Sequence, residues 1–377
     1  APQAEVTVDK TPAVPDGSDK SDATVAPQGV ESSSASSGLV IPDSEIKVTQ
    51  DLTLHVPLVQ ATNGQAVVVL PGSGNRRCFL VGSRQANNLL RQRARRKSHI
   101  LTRRELADIN DNLQAIAEME GASGEVFSRV APVPGGIETD LGDEKNTRVR
   151  ITAGKVEIVA AGSPTLFYRP PISMPMVRPA DRGNLGLLDQ YLNLAPVDIL
   201  LLKAWISYTL AHPKLATTKY PILLLQGEQG AGKSFLCSIV QALTDPNTVG
   251  VQILPTNGKD LAIAAQNSHV LAYDNVRGFK QTMADLLCIA STGGALSSRA
   301  LYTDADQAIQ RLHVALILNG VHDFINQPDL AQRCLPLHMK PLSPSGRKSE
   351  VQLKHEFDGD LPAIFRGLLE LIADVFA

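Results

Sequence analysis

Between Pro221 and Leu243 an apolar run, a glycine-rich loop and a second apolar run follow one another, and few folds accept that order. Ile222 to Leu225 reads as a strand buried on both faces, as in parallel sheets. Gly227-Glu228-Gln229-Gly230-Ala231-Gly232-Lys233-Ser234 comes next, and then Leu236, Ile239, Val240 and Leu243 recur at helical spacing. Strand, glycine loop and helix form the context that a Walker A phosphate loop requires. Glycines let backbone N–H groups curl around phosphate oxygens, and the helix N-terminus adds its positive dipole end. Lys233 then reaches the β- and γ-phosphates, and Ser234 holds Mg²⁺. The plain alternative is a chance match, which the flanking strand and helix argue against.

The chain has 377 residues, enough for two or three compact units. Its net charge of -2 points to no partner, although the distribution of charge does. Cys78, Cys237, Cys288 and Cys334 are scattered without a C-x-x-C pair, which argues against zinc and disulfides and fits a reducing cytosol. The longest apolar runs fall far short of the roughly 20 residues of a membrane span, so a cytoplasmic protein with no membrane partner is expected.

Five regions are expected. Residues 1–75 read as disordered or weakly structured, because Ser, Pro, Asp and Gly dominate the first 45 or so and bury too little to offset ordering entropy. Residues 76–124 read as a basic helical segment: positions 76–104 carry ten Lys or Arg and no acid. Arg91, Arg93, Arg95 and Arg96 are its densest part, a candidate contact for a DNA backbone, or else a solvated helix face. Residues 125–180 alternate like short strands, with glycine turns at 135–136, 142 and 154, and end in a proline connector. Residues 181–345 form the nucleotide-binding domain, and 346–377 a C-terminal helical segment.

Three later features extend the phosphate loop. His269 to Asp274 reads as an apolar strand ending in an acid, followed by Asn275, about forty residues after Lys233, where a Walker B Asp would orient Mg²⁺. The alternative is a strand-end turn. Leu312 to Leu318 is another strand, ending in Asn319-Gly320; Asn319 positions the attacking water, or simply starts a turn. Arg333 precedes a further strand and serves as an arginine finger on a neighbour's γ-phosphate, or pairs with Asp329.

From about residue 77 onward this order of motifs resembles the ATPase region of phage, plasmid and genomic-island proteins. Those are related to superfamily 3 helicases, within the AAA+ class, and are often fused to a primase–polymerase. The residues that carry the resemblance are Pro221 to Ser234, Asp260 to Asn267, Ala272 to Asn275, Thr292 to Gly294 with Arg299 to Tyr302, Ile317 to Gly320 and Pro328 to Arg333, together with Leu141 to Asp143 and Phe167 to Pro171 upstream. The resemblance implies an α/β core, a mainly parallel sheet flanked by helices, and a ring, commonly a hexamer, with ATP between subunits. It also implies a DNA-touching pore hairpin at roughly residues 293–311, with Arg299 and Arg311 as its cations, of which Arg299 alone sits inside a motif, and a primase or polymerase as partner.

One departure bears on mechanism. Where many ATPases of this class have Glu after the Walker B Asp, this chain has Asn275, and an amide cannot take a proton. Asn275 would hold the water instead, and Glu228 is a second candidate near the phosphates. The expected function is that of a DNA-dependent ATPase using ATP and Mg²⁺ on single- or double-stranded DNA, a helicase or initiation motor of a mobile element. The alternatives are an ATP-gated switch or loader without unwinding, a phosphate-loop small-molecule kinase, and a scaffold with a dead nucleotide site.

Overall fold

The computed structural model describes residue 41 and residues 43–62, 64–70, 74–299, 307–321, 324–341 and 349–377. The low-complexity stretch expected at the start of the chain lies outside the described residues up to position 40.

Four strands open the described fold: β1 (Asp43–Lys47), β2 (Thr53–Ala61), β3 (Ala66–Leu70) and β4 (Arg77–Leu80). They pair antiparallel in sequence order. Period-two alternation gives this sheet two apolar faces. Leu58 and Val68 face one side and Val59, Val67 and Val69 the other, all of them buried. The first side is covered by α1 (Arg84–Arg96), through Leu90 and Ala94, and α2 (Arg103–Glu120), through Ile109 and Leu113. The expectation of weak structure before residue 76 is therefore corrected for residues 43–70. These strands lie next to a Ser- and Pro-rich stretch, but the two helices supply the burial they need.

The basic segment is also corrected. Arg77 to Leu80 is a strand, and the helical part is two helices instead of one. Ser98, at φ 60, breaks the path, and Thr102 restarts it with a capping box closed by Glu105.

After β5 (Ala122–Gly124) and β6 (Val126–Phe127) comes an antiparallel meander of β7 (Val130–Val133), β8 (Gly136–Asp140), β9 (Arg148–Thr152) and β10 (Lys155–Val159). The next strand, β11 (Leu166–Tyr168), returns to the first sheet and inserts parallel between β4 and β6. The region read as one small antiparallel unit thus shares two strands with the sheet before it.

A three-ten helix (Leu185–Tyr191) and α3 (Pro196–Ala211) lead into the core. The core elements are β12 (Ile222–Gly227), α4 (Lys233–Thr244), α5 (Gly258–Asn267), β13 (Val270–Tyr273), α6 (Gln281–Thr292), the hairpin of β14 (Gly294–Arg299) and β15 (Gln307–Leu312), β16 (Ala315–Gly320), α7 (Pro328–Ala331), β17 (Cys334–Met339) and α8 (Glu350–Phe376). The order β13-β16-β12-β17 is parallel throughout, and Gln252 adds a single parallel bridge beside Tyr273. The protein is therefore α/β, with a four-stranded parallel sheet flanked by helices and preceded by two other sheets. The segment leading into the three-ten helix crosses α8 closely at two glycines: a Cβ on Gly183 would lie 2.6 Å from the backbone nitrogen of Gly367. No helix among the described residues is long and apolar enough to cross a membrane.

A buried ion pair ties the meander to this core. Arg129, 1% exposed, donates from Nε to Asp245 Oδ1 at 2.9 Å and from NH2 to Ser173 Oγ at 2.9 Å. Asp245 ends α4, and its other oxygen accepts the N–H groups of His269 and Val270 at the start of β13. Removing one partner strands the other charge in the interior. Arg129→Ala is expected to cost about 3–5 kcal/mol in urea unfolding. A loss below about 1 kcal/mol would mean that water reaches Asp245.

Candidate functional site

The C-terminal ends of the parallel strands meet around one cavity of about 1060 Å³, large enough for a nucleoside triphosphate. The phosphate loop forms one wall. At its entry Gly227 passes so close to the tip of β17 that a Cβ there would lie 2.8 Å from the carbonyl oxygen of Met339. At its exit Gly232, at φ 90, takes the left-handed turn that starts α4, with no side chain capping that helix. The first-turn N–H groups thus have no side-chain acceptor, the condition under which a helix N-terminus binds an anion.

Lys233 bends back over the loop. Its Nζ donates to the carbonyls of Gly227 at 2.9 Å and Glu228 at 2.8 Å. Burial pulls the pKa of this ammonium down, and the Asp274 carboxylate works against that shift. Ser234 Oγ donates to Asp274 Oδ2 at 2.7 Å, so the glycine loop and the residue that follows β13 touch directly. A hydroxyl and a carboxylate at one point are hard oxygen donors that suit Mg²⁺. Among the described residues no cluster of three or more Asp, Glu, His or Cys forms a metal cage. Mg²⁺ in nucleotide sites needs none, since substrate phosphates and water complete its shell.

Asn319 lines the same cavity at the tip of β16 and is fully buried. Its Nδ2 lies 3.9 Å from Cys237 Sγ, while its Oδ1 has no partner. A buried acceptor left unmade at a cavity wall is where a water or a ligand donor belongs. The strand order explains the meeting, because β16 lies between β12 and β13. The N–H of Val276 donates to the Asn319 carbonyl at 2.9 Å and ties the turn after β13 to that tip.

Asn275 sits in the left-handed region at φ 54, where asparagine is tolerated better than most residues. Its N–H donates to Asp274 Oδ1 at 2.6 Å, and its Oδ1 accepts from Arg277 Nε at 3.4 Å. Arg277 also lines the cavity, and motif reading passed over it. Glu228 is exposed, and its side chain is not among the cavity lining.

The other predicted residues lie elsewhere. Arg333 is at the start of β17, where its carbonyl accepts the Ile222 N–H at 2.8 Å. From there to the loop is the length of β12, five steps or about 17 Å. Its guanidinium pairs with Asp329 at 3.4 Å. On α1, Arg93 donates to the His55 carbonyl and is therefore a pin across β2; Arg91, Arg95 and Arg96 stay exposed. The α1 helix covers the sheet face opposite to Val67 and Leu80, so these arginines lie across the sheet from the β14–β15 hairpin. Position 299 pairs with position 307 near the outer end of that hairpin, and the side chain of Arg299 lies outside the described residues.

Tyr191, Asn193, Met339 and Leu353 complete the cavity from the three-ten helix, the turn that follows it, β17 and α8. No sequence motif marks them, because only tertiary packing brings the last helix back over the loop.

Residues 187–377 match the model of a family described as actinomycete integrative conjugative element replication protein. No curated protein matches the chain. Among solved structures, the apo C-terminal region of NrS-1 is similar at a TM-score of 0.37 and 12% identity, over 63% of this chain and 68% of that one. JCV helicase is similar at a TM-score of 0.27 and 13% identity, over 50% of this chain and 54% of that one.

Proposed function

The chain belongs to the family of actinomycete integrative conjugative element replication proteins, and we propose that within it the chain is an AAA+-type, superfamily 3-like ATPase that uses Mg²⁺·ATP to move on DNA as a ring. The observation that carries this reading is the contact of Ser234 with Asp274 beneath a lysine folded onto its own loop. That is a nucleotide site whose parts are already in register. On ATP binding Lys233 exchanges two backbone carbonyls for β- and γ-phosphate oxygens. Ser234 and Asp274 would hold the metal, which supplies charge neutralisation to the phosphates when bound. Asn319 and Asn275 orient the attacking water between them. Arg333 reaches the ATP of a neighbouring subunit, and the β14–β15 hairpin, with Arg91, Arg95 and Arg96 farther off, contacts DNA.

ATP hydrolysis with and without single-stranded DNA, with particle mass followed in both states, tests this. Hydrolysis that rises with DNA together with a mass of several subunits is the expected result. A monomer that hydrolyses ATP without regard to DNA would turn the reading toward a small-molecule kinase.

A second reading, an ATP-gated switch without unwinding, draws on Asn275. The site presents an amide where a carboxylate base is usual, and Arg277 occupies that amide's oxygen. Asn275→Ala is expected to bind ATP normally and to hydrolyse it on the order of 10² more slowly, through loss of one preorganised polar group. Unchanged turnover would remove Asn275 from the mechanism. Strand displacement measured beside ATPase then separates motor from switch.

A further inference from the structure

Lys233, Ser234, Asp274 and Asn319 all act at the triphosphate end of the cavity, and that chemistry serves any nucleoside triphosphate equally. The other end differs in kind. In the order β13-β16-β12-β17, Asp274 follows one edge strand and Met339 ends the other. Three strand spacings separate them, about 14 Å at about 4.8 Å per strand. A nucleotide held by its phosphates at the loop and at Asp274 extends away from the metal, toward Met339.

There Tyr191, Met339 and Leu353 line the cavity. The Tyr191 hydroxyl is spent on Asp360 Oδ2 at 2.7 Å, which leaves an apolar wall for a flat ring. Asn193 stands beside them. Its Nδ2 donates to the Ala231 carbonyl in the loop, at 3.3 Å, and to the Lys340 carbonyl after β17. The Lys340 N–H returns a bond to the Asn193 carbonyl at 3.3 Å. Both amide protons are thus used, and the two carbonyls fix which way round the amide lies. Its Oδ1 is left as an acceptor with no partner among the described residues.

An acceptor held in place at a base-sized wall reads the 6-position of a purine. Adenine carries an amino donor there and guanine a carbonyl acceptor. The amino group satisfies Oδ1, whereas a 6-oxo group sets two acceptors against each other and leaves both unmet. We propose that Asn193 selects adenine over guanine, accepting a hydrogen bond from the 6-amino group through Oδ1 while the base lies against Tyr191, Met339 and Leu353. The inference rests on the nucleotide reading above, and it requires neither DNA nor a ring.

Equilibrium binding of ATP, GTP and inosine triphosphate to the full chain, with Mg²⁺ present, tests this. Inosine triphosphate keeps the ribose and triphosphate of ATP and carries a 6-oxo group. Wild type should bind ATP about tenfold tighter than either of the others. Purine riboside triphosphate, with only hydrogen at that position, should fall between ATP and inosine triphosphate, which asks the same question without altering the protein. Asn193→Ala should bring the affinities for ATP, GTP and inosine triphosphate together. Loss of the bond to the Ala231 carbonyl would by itself weaken all three alike and leave their ratio unchanged, so the ratio separates base reading from damage to the loop. Equal affinities in wild type would overturn the selection and leave the phosphate site standing. A wild-type ratio kept in Asn193→Ala would overturn the assignment to Asn193. Guanine also offers N1–H and N2–H donors that a carboxylate takes, and Glu350 lies exposed at the rim; a wild type that prefers GTP would overturn the assignment as well. A wild type that binds none of the three would overturn the inference together with the ATPase reading.

Discussion

Lys233→Ala is expected to leave the protein folded and to lower ATP hydrolysis by about three orders of magnitude. The side chain holds no core together: its Nζ bonds only to the carbonyls of Gly227 and Glu228, at the rim of the cavity. Water entering that cavity takes over both carbonyls once the lysine is gone. The anchors of α4, Leu236, Ile239, Val240 and Leu243, are untouched and almost wholly buried. The melting temperature should therefore move little. Catalysis loses the cation that meets the phosphates as charge develops on them, inside a pocket where such charge counts for more than in water. ATPase rate and thermal melting on the same preparation check both halves. Turnover at the wild-type rate would remove the phosphate loop from the chemistry.

The sequence was most legible where one local motif carries both backbone shape and chemistry. Gly227 to Ser234 states its turn, its helix start and its ligand donors within eight positions, and the structure places Asp274 against it at hydrogen-bond distance. Asn319 was also legible as a strand tip. Its meeting with the loop depends on β16 lying between β12 and β13, an order that no local pattern states. The first sheet was read poorly for the opposite reason. Leu166 to Tyr168 is three residues long and pairs with Arg77 and Cys78, ninety positions earlier, and with Val126 and Phe127. Strands that short have no periodicity to detect, and their pairing is decided by what packs on them. The basic run misled for a related reason. Charge counts do not show that Arg93 is turned inward to the His55 carbonyl, or that α1 lies across the sheet from the hairpin. Arg277 was missed because it belongs to no motif, and only its reach back to Asn275 marks it.

Arg333→Ala is expected to bind ATP near normally, to assemble, and to hydrolyse on the order of 10³ more slowly, and mixing it with Lys233→Ala subunits is expected to restore part of the loss. Arg333 stands at the start of β17, level with Ile222, while the loop follows the far end of β12, about 17 Å on. An arginine side chain cannot span that distance, so any action on phosphate falls on another subunit's ATP. In the single chain its guanidinium rests on Asp329 at 3.4 Å, a half-exposed contact of small worth and easily exchanged for a phosphate. In a mixed ring, an interface joining an Arg333→Ala subunit that keeps its loop to a Lys233→Ala subunit that keeps its arginine is complete. Recovery should therefore peak at intermediate mixing ratios and vanish at either end. If rings shown to have exchanged subunits recover nothing at any ratio, Arg333 serves only to hold Asp329 and the α7–β17 corner. A direct test of that structural role is Asp329→Asn, which should leave hydrolysis intact if the finger reading holds and should copy Arg333→Ala if it does not.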